Sequence, residues 1–357
     1  MRRVGPKQHG HERQGSKILG GAMIQTNCLI VAEVGSVHDG SLGNAKKLIE
    51  VARHCGVDGV KFQTHIAAAE TLRDAPMPSF FAGEPRYEYF QRTSFTVVEW
   101  QQLEKHCEEH NIEFMSSPFS GEAVELLEAV GLRRYKVPSG EVTNLPLLEI
   151  IAQTRKPVLL SSGMSTWEEL DDAVNMIMRV HDQITVLQCT SEYPCPYEDV
   201  GLTLMLTMRD RYRLPVGLSD HTLTPHAALA AVVLGASVIE KHLSFSRLMY
   251  GSDARHSLEP LELTQLVQGI RAVEKMLASP VDKDAMCARL LDMKQVFEKS
   301  VVTLVEIPEG TAVTRQMVGL KKPGTGMPAS RLREIIGQRV RRHIPRNSLL
   351  SEKDLCE

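Results

Sequence analysis

Two histidines carry the clearest chemical signal in this sequence: His221 in the stretch PVGLSDHT and His242 in SVIEKHL. Ser219 and Glu240 each stand two positions before a histidine, and side chains two apart on a strand share one face. Residues 224–235 begin with Thr-Pro, are rich in alanine and end with glycine, which predicts a connecting helix. A strand–helix–strand unit makes its strands parallel neighbours, so both histidines should reach the same end of a sheet. This placement suits a divalent metal or an acid–base pair, whereas a single buried histidine would more simply be a hydrogen-bonded core residue.

Further polar side chains fall where short apolar runs end. They are Glu33, Lys61, Gln63, Ser116, Ser117, Lys136, Ser139, Ser161, Ser162 and Thr190 to Tyr193. Lysines beside hydroxyls and backbone amides form pockets for phosphate or carboxylate groups, and burying two lysines is costly unless an anion pairs with them. An internal ion pair of Lys61 and Lys136 with Glu33 and Glu240 is the alternative interpretation, and turn chemistry or capping is the alternative for any single serine.

The apolar runs themselves predict the fold. Eight are of strand type: Leu29–Gly35, Gly59–Thr64, Glu113–Pro118, Arg134–Gly140, Val158–Gly163, Ile184–Thr190, Pro215–Asp220 and Ser237–Leu243. Helical periodicity fills the intervals, and eight strand–helix repeats over roughly 250 residues predict a (β/α)8 TIM barrel with its functional groups at the carboxyl ends of the strands. An open doubly wound sheet is disfavoured because no GxGxxG follows the first strand.

Composition narrows the functional classes. The 357 residues are 43% hydrophobic and 24% charged with a net charge of −3, which is typical of a soluble globular protein. The basic residues are balanced by acids, so no nucleic-acid surface is expected, and no apolar run approaches the ~18 residues of a membrane span. Seven scattered cysteines without a CxxC pair indicate neither a disulfide framework nor a structural zinc site, so a cytoplasmic location is expected.

The pattern changes along the chain and predicts four segments. Residues 1–26 are expected to be a disordered extension, and residues 27–282 a barrel domain. Residues 283–297 are interpreted as a helical linker arm, and residues 298–357 as a small domain with many glycine–proline turns. A domain of about 60 residues is near the lower limit for folding alone, so we expect it to lean on the barrel or on a second subunit.

Several motifs, in order along residues 27 to 355, resemble those of the sialic acid synthases, which make N-acetylneuraminate and related nonulosonic acids. The motifs are AEVGSVHDG, VKFQT, SSPFS, YKVPSGE, NLPLL, LLSSGM, CTSEYPCPYEDV, GLSDHT, IEKHL, SLEP and KKPGTG. The resemblance implies a (β/α)8 barrel, a C-terminal domain like the type III antifreeze proteins (SAF, β-clip), and condensation of phosphoenolpyruvate with a 2-acetamido mannose sugar. It also implies that His221 and His242 bind a divalent metal, manganese or magnesium.

The resemblance further assigns roles to single residues. Glu33, Lys61 and Glu240 are implied at the reacting centre. The implied substrate-binding residues are Gln63, Ser117, Lys136, Ser139, Ser161, Ser191, Tyr193, Ser219, Asp253 and Lys322. The sequence departs from the family at four positions: Val37 replaces asparagine, Gln188 histidine, Ser191 asparagine or threonine, and Lys322 arginine.

The sequence leaves the exact substrate and the competing functions open. We expect an unphosphorylated sugar, either N-acetylmannosamine or the 2,4-diacetamido-6-deoxy analogue used for legionaminate, because no additional basic cluster stands out. A Schiff-base aldolase using Lys61 or Lys136, and a non-catalytic carbohydrate-binding protein, are the alternatives. The basic tail loop at Lys322 predicts a domain-swapped homodimer in which the tail reaches the partner's active site.

Overall fold

The computed structural model describes residues 16–19, 22–25, 27–76 and 83–356. The chain divides into two compact units, residues 1–279 and residues 280–357. Within the described residues, no helix combines the length and the apolar character needed to cross a bilayer.

The predicted disordered extension needs a correction at two places. Strand β1 (Ser16–Leu19) pairs antiparallel with β2 (Ala22–Gln25). The physical reason is visible in the sequence, because each segment carries adjacent apolar residues, Ile18 and Leu19 in β1 and Met23 and Ile24 in β2, that favour strand pairing. The remainder of residues 1–26 lies outside the described residues.

Eight parallel strands form a barrel: β3 (Leu29–Gly35), β4 (Gly59–Thr64), β5 (Glu113–Pro118), β6 (Tyr135–Val137), β7 (Val158–Ser161), β8 (Ile184–Cys189), β9 (Val216–Asp220) and β10 (Val238–His242). The barrel closes in the order β10-β3-β4-β5-β6-β7-β8-β9. The predicted (β/α)8 barrel is therefore confirmed. Strand β6 is shorter than predicted because Pro138 has no N–H for a ladder and a 3-10 turn, Ser139–Glu141, follows it.

Ten helices accompany the barrel in the described part of the chain. They are α1 (Leu42–Cys55), α2 (Ala67–Glu70), α3 (Arg86–Thr93), α4 (Val97–Glu109), α5 (Gly121–Val130), α6 (Leu145–Gln153), α7 (Trp167–Met178), α8 (Leu202–Tyr212), α9 (His226–Val233) and α10 (Pro260–Ala278). Local sequence explains several starts: Thr96 with Glu99 and Thr166 with Glu169 form capping boxes at α4 and α7.

The alternation of side chains along each strand separates an apolar floor from a polar mouth. Val31, Met115, Leu159, Leu187 and Val238 form one buried cluster, with one residue from each of five strands. Two positions further along the same strands stand Glu33, Ser117, Ser161, Cys189 and Glu240. Since residues two apart share a face, these polar groups lie directly above the apolar layer, toward the carboxyl ends of the strands.

A buried ion pair fixes the end of β9. Lys241, only 1% exposed, places its Nζ 2.8 Å from Asp220 Oδ2 and also donates to the backbone carbonyls of Thr222 and Thr224. The lysine thus holds the loop that carries His221, and removing either charge would leave the other buried without a partner.

The C-terminal unit has its own small core. Helices α11 (Lys283–Arg289) and α12 (Leu291–Phe297) precede strands β11 (Ser300–Thr303) and β12 (Val318–Lys321), which pair antiparallel. The core of this unit comprises Val301, Ile307, Val313, Val318, Met327, Ile335, Val340, Ile344, Leu350 and Leu355. The predicted helical arm is therefore two short helices.

Candidate active site

Two lysines and two glutamates are buried together at the mouth of the barrel. Lys61 Nζ lies 2.6 Å from Glu33 Oε2 and 3.7 Å from Glu240 Oε1, and Lys136 Nζ lies 2.7 Å from Glu240 Oε1. All four side chains are at most 4% exposed. We call Glu33, Lys61, Lys136 and Glu240 the charge quartet. Its charges balance, so the internal ion pairing considered from the sequence is present in the structure.

The two carboxyl groups of the quartet differ electrostatically. Burial raises the pKa of Glu33 to about 7, since it outweighs the opposing effect of Lys61. Burial alone would raise the pKa of Glu240. The positive charges of Lys136 and Lys61 outweigh that effect and lower this pKa to about 2. Glu33 can therefore exchange a proton near neutral pH, while Glu240 stays ionised.

The two lysines differ as well. Burial lowers the pKa of Lys136. Burial acts in the same direction on Lys61, but the carboxylates of Glu240 and Glu33 prevail and raise its pKa. Lys61 therefore keeps its proton more strongly than Lys136, and the charge of Lys136 depends more on its carboxylate partner Glu240.

Hydroxyl groups surround the charge quartet. Lys61 donates to Ser117 Oγ at 3.4 Å, and Ser219 donates to Glu240 Oε1 at 3.0 Å. Ser161 Oγ and Glu240 Oε2 are buried without a hydrogen-bond partner among the described atoms. A buried acceptor or hydroxyl without a partner is costly, so both atoms are available to a ligand.

Two glycines mark places where functional side chains converge on the backbone. A Cβ at Gly163 would lie 2.5 Å from both Ser139 Oγ and Ser191 Oγ, so two predicted anion-binding hydroxyls face the turn after β7. A Cβ at Gly35 would lie 2.4 Å from Asp253 Oδ2. This brings Asp253, whose pKa is raised by burial, beside the carboxyl end of β3.

The two histidines lie together beside Tyr193. The ring centroids of His221 and His242 are 5.5 Å apart, and Tyr193 lies 4.2 Å from the His221 ring. His221 Nδ1 donates to Thr190 O at 2.7 Å, which leaves the Nε2 lone pair available to a ligand. His242 Nδ1 is buried without a hydrogen-bond partner among the described atoms.

Both imidazoles are neutral at physiological pH. Burial lowers the pKa of His221 to about 4 and lowers that of His242 well below its usual value of 6.5. Two neutral imidazoles, one held in a fixed tautomer and one with a nitrogen that lacks a partner, fit the donor set that a divalent cation needs.

The departures from the family pattern have different surroundings. Gln188 is buried, accepts from Ser162 Oγ at 3.3 Å and donates to Val200 O at 3.1 Å, so it braces the loop after β8. Val37 is a buried apolar residue in the loop after β3. Lys322 lies in the C-terminal unit, where its Nζ stands 4.9 Å above the ring of Phe297.

Comparison with known proteins identifies the family. Residues 48–282 match the model of the NeuB family, and residues 298–355 match that of the SAF domain. The chain belongs to the NeuB family.

Similar proteins within this group include enzymes named for different products. The N,N'-diacetyllegionaminic acid synthase of Campylobacter jejuni subsp. jejuni is 37% identical over 334 residues, which cover 91% of this chain and 99% of that protein. The N-acetylneuraminate-9-phosphate synthase of Homo sapiens is 34% identical over 323 residues, which cover 88% of this chain and 89% of that protein.

A solved structure agrees with these sequence relationships. The N-acetylneuraminic acid (sialic acid) synthetase from Leptospira borgpetersenii serovar Hardjo-bovis, in complex with citrate, superposes with a TM-score of 0.66 at 27% identity and covers 80% of this chain and 98% of that chain. The predicted membership of the sialic acid synthase family, with a C-terminal SAF domain, is therefore confirmed, as is the prediction of an enzyme.

Sequence analysis missed a further group of possible metal ligands in this NeuB chain. Among the described residues, Glu50, His106 and His110 bring ligand atoms within 4.8 Å of one another. Glu50 lies on helix α1, His106 lies on helix α4, and His110 caps the C-terminal end of α4. This group is separate from the predicted pair His221 and His242. The spacing of four between the histidines was a detectable signal, since such residues face the same side of a helix. A possible metal site thus exists there, although Lys47 Nζ already lies 2.6 Å from Glu50 Oε2.

The charge quartet generates a prediction about stability and pH. In Lys136→Met, Glu240 retains only the more distant Lys61, so burial should raise the pKa of Glu240 above its unfolded value of about 4.5. In the wild type the lowered pKa of Glu240 adds stability above that value, and this contribution is lost as the pH falls. The difference in unfolding free energy between wild type and variant should therefore grow as the pH rises from about 2 through about 4.5.

Chemical denaturation at several pH values measures this difference, and the control is Lys156→Met. Lys156 is partly exposed and pairs with Glu128 at 2.6 Å on the surface, so its loss should have a small effect at every pH. A difference for Lys136→Met that stays constant or shrinks with rising pH would contradict the assignment of Lys136 as the partner that keeps Glu240 ionised.

Proposed function

We propose that this protein is a nonulosonic acid synthase, which condenses phosphoenolpyruvate with the open-chain form of a 2-acetamido mannose sugar and releases phosphate. The observation that carries the proposal is the charge quartet at the barrel mouth, bordered by hydroxyls that face Gly163. Two lysines and several hydroxyls match the carboxylate and phosphate of phosphoenolpyruvate. The names of the relatives support the same class of product.

The chemistry explains why both cations and carboxylates are needed. The enol carbon of phosphoenolpyruvate forms a bond to the aldehyde carbon of the sugar, while positive charge develops at the second carbon of phosphoenolpyruvate. Water adds to that second carbon. The bond between this carbon and the bridging oxygen of the phosphate then breaks, which releases phosphate. Lys61 and Lys136 hold the anionic substrate in place, which lowers the entropic part of the barrier.

The two glutamates are assigned different roles in this proposal. Glu33, with a pKa raised to about 7 by burial, accepts the proton of the attacking water. Glu240 remains ionised beside Lys136 and stabilises the developing positive charge through electrostatic attraction. Asp253, Tyr193 and Gln63 line the sugar side.

The histidine pair is proposed as the site of a divalent cation, manganese or magnesium. His221 and His242 would hold it through neutral imidazole nitrogens, and the ion would supply Lewis acidity at the aldehyde oxygen. The fixed tautomer of His221 and the buried Nδ1 of His242 without a partner support this assignment.

A Schiff-base aldolase is the second candidate, because the pKa of Lys136 is lowered by burial and an uncharged amine is the nucleophile in such enzymes. Borohydride trapping with pyruvate separates the two functions, since only the aldolase forms a covalent adduct. A non-catalytic carbohydrate-binding protein has less support, because binding a neutral sugar does not require two buried lysines.

A cytoplasmic location is also proposed, supported by seven cysteines of which none forms a disulfide.

We expect phosphate release from phosphoenolpyruvate only when an unphosphorylated acetamido mannose is present. The assay compares N-acetylmannosamine, its 2,4-diacetamido-2,4,6-trideoxy analogue and N-acetylmannosamine 6-phosphate. Lys61 and Lys136 are both committed to phosphoenolpyruvate, so the charge quartet offers no further cation for a second phosphate. A preference for the phosphorylated sugar would refute this prediction, and no release with any acetamido sugar would favour the carbohydrate-binding protein.

Replacing His221 or His242 with alanine should remove metal binding and turnover together. We expect a loss of at least about a hundredfold in metal affinity by calorimetry, with the fold retained by circular dichroism. His54→Ala controls for loss of an exposed histidine, and His106→Ala controls for binding at the helix cluster. Near-native turnover of either barrel variant in metal-depleted buffer would show that this pair is not the metal site.

We also propose a domain-swapped homodimer in which the C-terminal unit completes the active site of the partner. Support comes from the arm formed by α11 and α12, whose apolar side chains are exposed in the single chain. They are Leu290, Leu291, Met293, Val296 and Phe297. Exposed apolar side chains on this scale mark a contact surface.

Mixing two inactive variants tests the exchange. Lys322→Ala lacks the sugar contact of the tail, and His242→Ala lacks a barrel ligand, so a mixed dimer should regain one intact site if the tail acts on its partner. We expect phosphate release to return upon mixing. Inactive mixtures in which native mass spectrometry detects mixed dimers would show that the tail acts on its own barrel.

A further inference from the structure

A chain of partly buried hydrogen bonds extends from Glu33 to Glu70 of helix α2. Gln63 Nε2 donates to Glu33 Oε1 at 2.8 Å, and Gln63 Oε1 lies 3.2 Å from His65 Nε2. On the other side of the imidazole, His65 Nδ1 lies 2.6 Å from Glu70 Oε1. The catalytic carboxyl group is thus connected through an amide and an imidazole to a second carboxyl group.

The directions of the two hydrogen bonds made by Gln63 follow from Glu33. An ionised Glu33 can only accept, so the Gln63 amide must turn its nitrogen toward it and its oxygen toward His65. The amide oxygen can only accept in turn, so His65 Nε2 must carry a proton. Glu70 holds the opposite nitrogen at 2.6 Å and fixes the ring in the plane that points Nε2–H at Gln63.

The imidazole is also held by aromatic stacking. Its ring lies 3.7 Å from the ring of Phe90 with an interplanar angle of 8°, and 4.1 Å from the ring of Phe119 with an angle of 19°. The side chains of His65 and Glu70 are only 5% and 6% exposed. A ring stacked on both faces and bonded at both nitrogens has a single orientation available.

We propose that His65, held by Glu70, Phe90 and Phe119, is a positioning residue that orients the amide of Gln63 toward the catalytic Glu33. Without the Nε2–H donor, the oxygen of Gln63 loses its partner, and rotation of the amide would direct an acceptor at a carboxylate. That rotation would displace the carboxylate from the position in which it meets the attacking water. The inference deepens the proposed function and rests on it, because it concerns the same carboxyl group.

A purely structural role for the stacked imidazole is the competing explanation, and a double-mutant cycle separates the two. His65→Phe keeps a ring between Phe90 and Phe119 and removes both nitrogens. We expect it to lower kcat about ten- to a hundredfold in the wild-type background, the range for loss of a buried hydrogen bond. In the Gln63→Ala background the same substitution should cost less than about twofold, because the amide through which His65 acts is gone.

Two further variants sharpen the cycle. His65→Gln can place an amide N–H near the position of Nε2, so it should restore part of the turnover lost in His65→Phe. His38→Phe is the matched control, since His38 is another buried imidazole against aromatic rings, Phe62 and Phe95, and should cost the same factor with or without Gln63. Equal costs of His65→Phe in both backgrounds, or no cost in the wild type, would overturn the proposal.

A spectroscopic readout makes the test independent of activity. In protein labelled with 15N-histidine, the signals of His65 are those that vanish in His65→Phe, and we expect Nε2 to resonate as a protonated nitrogen. An unprotonated Nε2 would overturn the proposal even if the cycle were cooperative. Absence of turnover in the wild type with every acetamido sugar would instead count against the proposed function, while the nitrogen signal would still decide the role of His65.

Discussion

Charge balance inside the barrel is the constraint on which the rest of the site depends. Lys61 and Lys136 are buried to within a few per cent, and each stays charged because a carboxylate lies within 2.7 Å. Removing one member of such a set leaves a buried charge without compensation, a loss of about 3–5 kcal/mol in comparable cases. The four side chains come from β3, β4, β6 and β10, so only a closed barrel brings them together.

The same constraint prepares the site for an anionic ligand. A site that balances its own charges when empty has its cations in place before the substrate arrives, and little reorganisation is needed when an anion displaces or joins the carboxylates. The pair His221 and His242 is neutral and therefore adds no net charge to the quartet. Asp220 and Lys241 form a second ion pair, separate from the quartet, which holds the loop that carries His221.

The sequence predicted the barrel because its strands are short, buried and separated by helical intervals, and these features depend only on local pattern. It also located Glu33, Lys61, Lys136 and Glu240, since polar residues at strand ends are conspicuous in apolar runs. The sequence left open which lysine pairs with which glutamate. Lys136 and Glu240 are 104 positions apart, and their contact follows from barrel closure and register rather than from any local signal.

Other features escaped sequence analysis for physical reasons. Lys241 occupies a strand beside His242, and its pairing with Asp220 depends on the register of β9 against β10. His65 repeats the spacing of two seen at Ser219 and His221, but it follows the end of β4, and its aromatic neighbours come from distant segments. The pairing of β1 with β2 was overlooked because each strand has only four residues and the preceding sequence is rich in glycine and charge.

A crystal structure with phosphoenolpyruvate bound is the most direct test of the central claim that the charge quartet is the anion site. The account predicts density at the barrel mouth, with phosphate or carboxylate oxygens within hydrogen-bond distance of both Lys61 and Lys136 and near the hydroxyls of Ser139 and Ser191. Binding instead in the basic cleft of the C-terminal unit, lined by Arg331, Arg339 and Arg341, with Lys61 and Lys136 still paired only to Glu33 and Glu240, would contradict it.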